Sequence, residues 1–154
     1  MKKARLLIFL IVVCNLCMSA QEKLQQDFSG VQIENTLGKD VKIELQSCIG
    51  NKYAQSVHIR LFFTQYSNHQ IIRISAASAT DAKGNKYKLI PYGGKGDKAD
   101  HYMLAKSHPR KIPFCVEQIL SSVSQFEILE LEVIFGSTYQ AEDIIIKNVP
   151  ILWE

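Results

Sequence analysis

Apolar and polar residues alternate with a period of two in several short segments of this 154-residue chain. The clearest segment is 57–63, where each second residue is apolar and His58 and Arg60 stand between the apolar ones. Successive side chains of a β-strand point to opposite faces, so this pattern predicts a strand with one buried face. No sustained helical period competes with the alternation, which restricts the chain to a β-rich fold.

Turn residues separate the alternating segments at near-regular spacing. The run from Asp81 to Lys86, which contains Gly84-Asn85, predicts a hairpin connection. Seven to eight short strands of this kind predict an all-β fold, most simply an antiparallel β-sandwich, with a small barrel as the alternative. The predicted strands cover 41–45, 57–63, 71–77, 87–89, 112–116, 128–135, 144–149 and 151–153.

The first twenty residues have the pattern of a secretory signal peptide. Three cations lie ahead of the apolar run 6–13, and Ser19-Ala20 precedes a polar segment. We therefore expect a signal peptide over 1–20, a single domain over 21–154, and export to the periplasm or the cell exterior. The alternatives are an uncleaved membrane anchor, for which the apolar run is short, and a lipoprotein, for which Cys14 and Cys17 lack a small preceding residue.

The net charge of the chain without this leader differs from that of the whole chain. Three of the 18 basic residues lie in 1–20, so the remaining chain carries 15 basic and 15 acidic side chains. A neutral domain lacks the positive field that drives nonspecific nucleic-acid binding, which excludes that partner class. No second run could span a membrane. Bases dominate 39–111 and acids dominate 117–154, and we expect these charges to face one another across strands. The alternative is a surface of two signs that binds a charged partner.

Outside the leader only Cys48 and Cys115 remain. In an oxidising compartment they could form a disulfide, which would close a long loop and stabilise the fold by about 4 kcal/mol. Two separate buried thiols are the equal alternative. The alternation places both cysteines on the face opposite the main apolar set, so a disulfide would require neighbouring strands or a bulge. Neither cysteine has the close second cysteine typical of zinc or redox motifs.

The stretch 91–111 breaks the strand pattern and contains Gly93-Gly94-Lys95-Gly96. Long irregular segments often carry function, so we expect the contact region within Tyr92–His108. Tyrosine suits contacts with proteins and sugars because it combines a large ring with a polar tip. The predicted binding residues are Tyr92, Lys95, Asp97, His101, Tyr102 and His108. The predicted exposed aromatic residues are Tyr53, Phe62, Tyr66, Tyr87, Tyr92, Tyr102 and Tyr139.

No set of residues in the sequence forms a recognised catalytic motif. The glycine-rich run lacks the spacing of a phosphate-binding loop, and no Gly-x-Ser-x-Gly occurs. Glu130 and Glu132 are expected to be solubilising charges on one strand face. We therefore predict no catalytic residue, no metal ligand and no cofactor. The enzyme alternative is a small metal-dependent hydrolase that uses Asp97, Asp100 and His101 in the loop 97–108.

The order of segments resembles a family of small, secreted, uncharacterised proteins of Gram-negative anaerobes. The resemblance lies in 41–52, the following strand, the Gly84-Asn85 hairpin, Ile112-Pro-Phe-Cys115 and 148–153. It implies an immunoglobulin-like sandwich and export, and it carries no catalytic residue. The expected function is a noncatalytic binding or accessory domain of the cell envelope that contacts a protein or glycan. A structural module of an envelope assembly is the remaining alternative.

Overall fold

The computed structural model describes residues 26–94, 100–136 and 141–154, which form two packed β-sheets. Eleven strands lie in these ranges. They are β1 (Gln32–Asn35), β2 (Val41–Asn51), β3 (Ser56–Gln65), β4 (Gln70–Asp81), β5 (Lys86–Lys88), β6 (Ile90–Pro91), β7 (His101–Leu104), β8 (Arg110–Glu117), β9 (Gln125–Phe135), β10 (Ala141–Pro150) and β11 (Leu152–Trp153).

The strand order identifies the architecture as an immunoglobulin-like β-sandwich. Sheet A has the order β1-β10-β9-β4-β5, with β7 also paired to β4, and sheet B has the order β11-β2-β3-β8-β6. The strands β2-β3-β8-β6 and β10-β9-β4 correspond to the A-B-E-D and G-F-C sheets of that fold. Named strands pair antiparallel throughout the described ranges, except β11 with β2. The predicted fold class is confirmed.

The period-two alternation directs one face of each long strand into the space between the sheets. In β9, for example, Leu129, Leu131 and Val133 are buried, whereas Glu130 and Glu132 are exposed. Burial of each such side chain contributes about 1.5–3 kcal/mol, which makes this shared core the main source of stability. The largest fully buried side chains include Tyr102, Phe63, Phe114 and Phe126.

All the predicted strands are present, and several extend further than the alternation indicated. The strand predicted from Val41 continues to Asn51, and the Asp81–Lys86 turn joins β4 to β5 as expected. The expectation of an irregular stretch over 91–111 is wrong in part, because β7 lies within it and pairs with Gln70–Arg73 of β4. Its alternation of His101 and Met103 with Tyr102 and Leu104 is only four residues long, so the sequence signal is weak.

The two cysteines do not form a disulfide in the structure. Cys48 and Cys115 are both free thiols. They lie in β2 and β8, which flank β3 on opposite sides, so about 10 Å of sheet separates them, beyond the reach of a disulfide. A bulge between Leu45 and Ser47 reverses the alternation and turns Cys48 into the core. The expectation that both cysteines share the outer face is therefore wrong.

The predicted signal peptide, residues 1–20, lies outside the described residues. Within the ranges that the structure describes, no helix has the length and apolar character needed to cross a membrane.

Candidate functional site

The residues predicted to form one binding region are distributed over several elements of the structure. Lys95 and Asp97 lie outside the described ranges, as does the predicted exposed aromatic Tyr139. His101 belongs to β7 in sheet A, whereas Tyr92 follows β6 in sheet B. His108 lies in the turn before β8, where its Nδ1 is 2.8 Å from the Lys106 carbonyl oxygen. Of the described members, Tyr92 and Tyr102 are in contact, whereas His101 and His108 lie in other elements.

Tyr102 is a core residue, so the expectation that it is exposed is wrong. Its side chain is fully buried, and its hydroxyl donates a 2.9 Å hydrogen bond to the Tyr92 carbonyl oxygen. Burial, together with the nearby Asp100 carboxylate, raises the pKa of Tyr102 to about 12. Tyr102 thus attaches the segment after β6 to the core and positions the backbone of Tyr92. Of the other predicted exposed aromatics, Phe62 and Tyr87 are partly buried.

His101 pairs with its neighbour Asp100 at 2.8 Å between Nδ1 and the carboxylate oxygen. The hydrogen bond from His101 lowers the pKa of Asp100, and the Asp100 carbonyl oxygen accepts a 2.9 Å bond from the Ile74 N–H. These contacts attach the start of β7 to β4. Within the described ranges, no three His, Cys, Asp or Glu side chains are close enough to hold a metal ion.

The outer face of sheet B carries a row of side chains that sequence analysis missed. Ile90, Cys115, His58 and Ile49 are successive register partners across β6, β8, β3 and β2. Register partners in antiparallel strands point to the same face, so the four side chains form a transverse row. We call this set the His58 row. In the sequence, the only indication of this row is that its residues stand next to core-facing neighbours. Only the register between strands shows that the four side chains lie side by side.

Tyr92 lies against this row. Its hydroxyl is 3.3 Å from Nδ1 of His58, and the two rings meet edge to face with centroids 6.3 Å apart. Tyr92 is 39% exposed and Ile90 is 40% exposed, so the ring and the row are accessible to a partner. The prediction that Tyr92 is an exposed aromatic residue is confirmed. Its binding role stays a prediction.

A groove of about 420 Å³ runs beside the His58 row. Gln55 ends the β2–β3 turn and Gln118 follows β8, and both adopt positive φ angles, of 49° and 58°. The Ile119 N–H donates a 3.0 Å bond to the Gln55 carbonyl oxygen, which holds the two turns together. The lining residues are Ala54, Gln55, Ser56, His58, Cys115, Glu117 and Gln118.

The one thiol in the His58 row is not activated as a nucleophile. Cys115 lies directly opposite His58, an arrangement that in other settings activates a thiol. Here burial, and secondarily the Glu117 carboxylate, raises the pKa of Cys115 above its usual range. The thiol is therefore protonated at neutral pH and is a poor nucleophile.

A second concavity, of about 450 Å³, lies on the outer face of sheet A. Two of its acidic side chains, those of Glu130 and Glu132, have hydrogen-bond partners. Glu130 accepts hydrogen bonds from Lys86 at 2.9 Å and Ser78 at 3.2 Å, and the Lys86 bond is the main cause of its lowered pKa. Glu132 accepts a 2.5 Å bond from Ser75. The Lys86–Glu130 pair joins the basic and acidic segments across strands, which confirms at this position the expectation that they face one another.

Comparison with known proteins shows likeness to solved structures but no family. No protein-family model matches the chain, and no curated protein matches it. Among solved structures, the chain is similar to self-complemented MyfA, the major subunit of Myf fimbriae from Yersinia enterocolitica. The likeness has a TM-score of 0.39 and 13% identity, and covers 79% of this chain and 98% of that chain. The resemblance to secreted proteins of Gram-negative anaerobes stays a prediction.

Proposed function

We propose that this chain is an exported, noncatalytic domain of the cell envelope that binds another protein through the outer face of sheet B. The observation that carries the proposal is the His58 row with Tyr92 packed against it. An apolar and aromatic strip with charged residues beside it has the composition of a protein interface core and its rim. Arg60 and Glu117, both exposed, occupy the neighbouring positions on β3 and β8.

Tyr92 has the features of an anchor residue for this surface. Its backbone is fixed because its N–H donates to the Pro113 carbonyl oxygen at 3.1 Å and its own carbonyl accepts from Tyr102. An aromatic ring that is already held in place loses little entropy when a partner covers it, which favours affinity.

Site-specific photo-crosslinking tests this proposal. A photoreactive benzoylphenylalanine in place of Tyr92 is expected to give a discrete adduct with one envelope protein in the producing cell. The same replacement at Tyr66, which is 46% exposed and lies in the β3–β4 turn, is the matched control and is expected to give none. Equal adducts at both positions, or none at Tyr92, would contradict the proposal.

A glycan is the second candidate partner, because the groove beside the row is lined by polar side chains. Gln55, Gln118 and Glu117 offer amide and carboxylate groups suited to sugar hydroxyls, and Tyr92 provides an aromatic ring at its side. Titration calorimetry with envelope polysaccharides distinguishes the two candidates. A heat of binding that is present in the wild type and absent in Gln118→Ala would favour the glycan. If no polysaccharide gives a heat of binding, the protein remains the favoured partner.

Export is part of the proposal and has its own test. The cationic, apolar and small-residue pattern of 1–20 supports removal of the leader before Gln21. Sequencing the amino terminus of the protein recovered from the periplasm or the medium should therefore start at Gln21. An intact chain retained in the cytoplasm would contradict this part.

A further inference from the structure

One edge of sheet B is open over a short, regular segment. The strand β2 pairs with β3 along its length, but on its other side β11 covers only Ile49 and Gly50. The backbone groups of Cys48 on this side also have partners. Its N–H donates to Gln26 Oε1 at 2.9 Å, and its carbonyl accepts from Gln26 Nε2 at 3.0 Å. Within the described ranges, the segment Val41–Leu45 therefore has a strand neighbour on one side only. We call this segment the open edge.

Along β2, the backbone N–H and carbonyl groups of successive residues point alternately toward β3 and away from it. This alternation shows which groups face outward at the open edge. The Tyr66 N–H donates to the Asp40 carbonyl oxygen at 2.8 Å, so Asp40 directs its backbone polar groups toward β3. Because these directions alternate along a strand, Lys42 and Glu44 also face β3. The peptide groups of Ile43 and Leu45 and the carbonyl of Val41 consequently point away from β3, toward the position that a further strand would occupy. The Val41 N–H already donates to the Gly38 carbonyl oxygen at 3.5 Å.

The charges of the open edge are complementary to themselves. Lys42 and Glu44 flank Ile43 on the outer face, where their side chains form an exposed 2.8 Å ion pair. If a second copy pairs antiparallel about a two-fold axis at Ile43, each Lys42 lies opposite Glu44 of the other copy. A shift of the register by one residue would pair inner-face with outer-face side chains, and centring the axis on Lys42 or Glu44 would place like charges opposite each other.

We propose that two copies of this chain associate through their open edges, with the two-fold axis at Ile43. The Ile43 peptide groups of the two copies exchange hydrogen bonds, and Leu45 N–H of each copy donates to the Val41 carbonyl of the other. Sheet B then continues across the interface. The bulge after Leu45 and the Gln26 contact at Cys48 limit the pairing to these few residues, so the association is closed and reversible.

Sedimentation velocity of the protein purified in its exported form, over a concentration series, tests this interface. The expected result is a monomer–dimer equilibrium. Glu44→Lys places Lys42 of one copy opposite the introduced lysine of the other in the predicted register. It should raise the dimer dissociation constant about tenfold, since unfavourable charge replaces a favourable contact at two symmetric positions. Combining it with Lys42→Glu restores opposite charges and should return the constant close to its original value.

Glu130→Lys is the matched control, because it makes the same charge change on β9, away from the open edge. It should leave the dissociation constant unchanged, and circular dichroism should show that each variant is folded. A chain that stays monomeric at every concentration would overturn the proposal. A dimer dissociation constant that Glu44→Lys does not change, or that the double variant does not restore, would overturn it as well. These outcomes are independent of crosslinking at Tyr92, which follows β6 at the opposite edge of sheet B.

Discussion

At the scale of single residues, Asp81 shows how one side chain organises a turn. Its carboxylate accepts hydrogen bonds from the Asn85 side chain, the N–H groups of Lys83 and Asn85, and the Tyr87 hydroxyl, at 2.9–3.0 Å. The Asn85 side-chain bond is the largest cause that lowers the pKa of Asp81, from 3.8 to about 2, against the opposing effect of burial. The β4–β5 hairpin therefore depends on an ionised Asp81.

This pKa predicts a loss of stability in acid. A carboxyl whose folded pKa is lowered contributes stability that is complete above about pH 4 and disappears as the pH falls toward 2. Asp81→Asn should lower the free energy of unfolding at neutral pH and flatten its dependence between pH 4 and 2. Urea denaturation at a series of pH values measures both effects. Tyr87→Phe removes one hydrogen-bond donor to Asp81 and should give a pH dependence between those of the wild type and Asp81→Asn. If Asp81→Asn leaves the pH dependence unchanged, Asp81 is not the group responsible.

Gly50 is required because Trp153 packs directly on it. A methyl group at Gly50 would overlap the indole, and that indole is held by a 2.7 Å bond from its Nε1 to the Val123 carbonyl oxygen. Gly50→Ala should lower the free energy of unfolding by about 1–3 kcal/mol, the usual range for overpacking. Thermal denaturation measures this. Gly30→Ala is the control, since nothing lies within 4 Å of a side chain there, and it should have little effect.

At the scale of elements, Gln26 acts as a substitute strand partner. Its amide bonds both backbone groups of Cys48, and its Nε2 also donates to the Pro150 carbonyl oxygen at 2.8 Å. One side chain thus joins the edge of β2 to the end of β10. No sequence pattern indicates this role, because a single glutamine ahead of the first strand has no periodic context.

Removal of this amide should loosen the edge locally. In Gln26→Ala we expect the Cys48 amide proton to exchange about tenfold faster, since it loses a partly buried hydrogen bond. Hydrogen exchange measured by NMR gives the rate residue by residue. Gln125→Ala removes a side-chain bond to Glu127 instead and should leave Cys48 unchanged. Equal exchange rates in wild type and Gln26→Ala would show that Gln26 does not close the edge.

At the scale of the whole molecule, the two sheets are stabilised by the apolar faces they share. Phe114 is 1% exposed and lies on the inner face of β8. Phe114→Ala should lower the free energy of unfolding by about 3–5 kcal/mol, because it leaves a cavity between the sheets. Tyr53→Ala, at a residue that is 97% exposed, should change it by less than about 0.5 kcal/mol. Denaturant unfolding compares the two, and similar losses would argue against this core.

Local alternation determined most of the fold. The residues of β3 and β9 specify which face is buried, and the Gly84-Asn85 turn specifies a hairpin, because these signals act between near neighbours. The position of Tyr92 in a stretch without strand alternation predicted its exposure. Sequence signals failed at Tyr102, which lies in a four-residue strand inside the stretch 91–111, and at Cys48, where the bulge reverses the alternation.

The sequence alone therefore determined an all-β fold and the inward face of most of its long strands, since alternation is a property of the chain itself. The choice of a sandwich over a barrel came from the strand order. Only the tertiary structure decided that Cys48 and Cys115 stay apart and that the His58 row assembles across four strands. It also decided that Val41–Leu45 forms an open edge. These features depend on register, strand order and bulges, which arise from contacts between segments far apart in the chain.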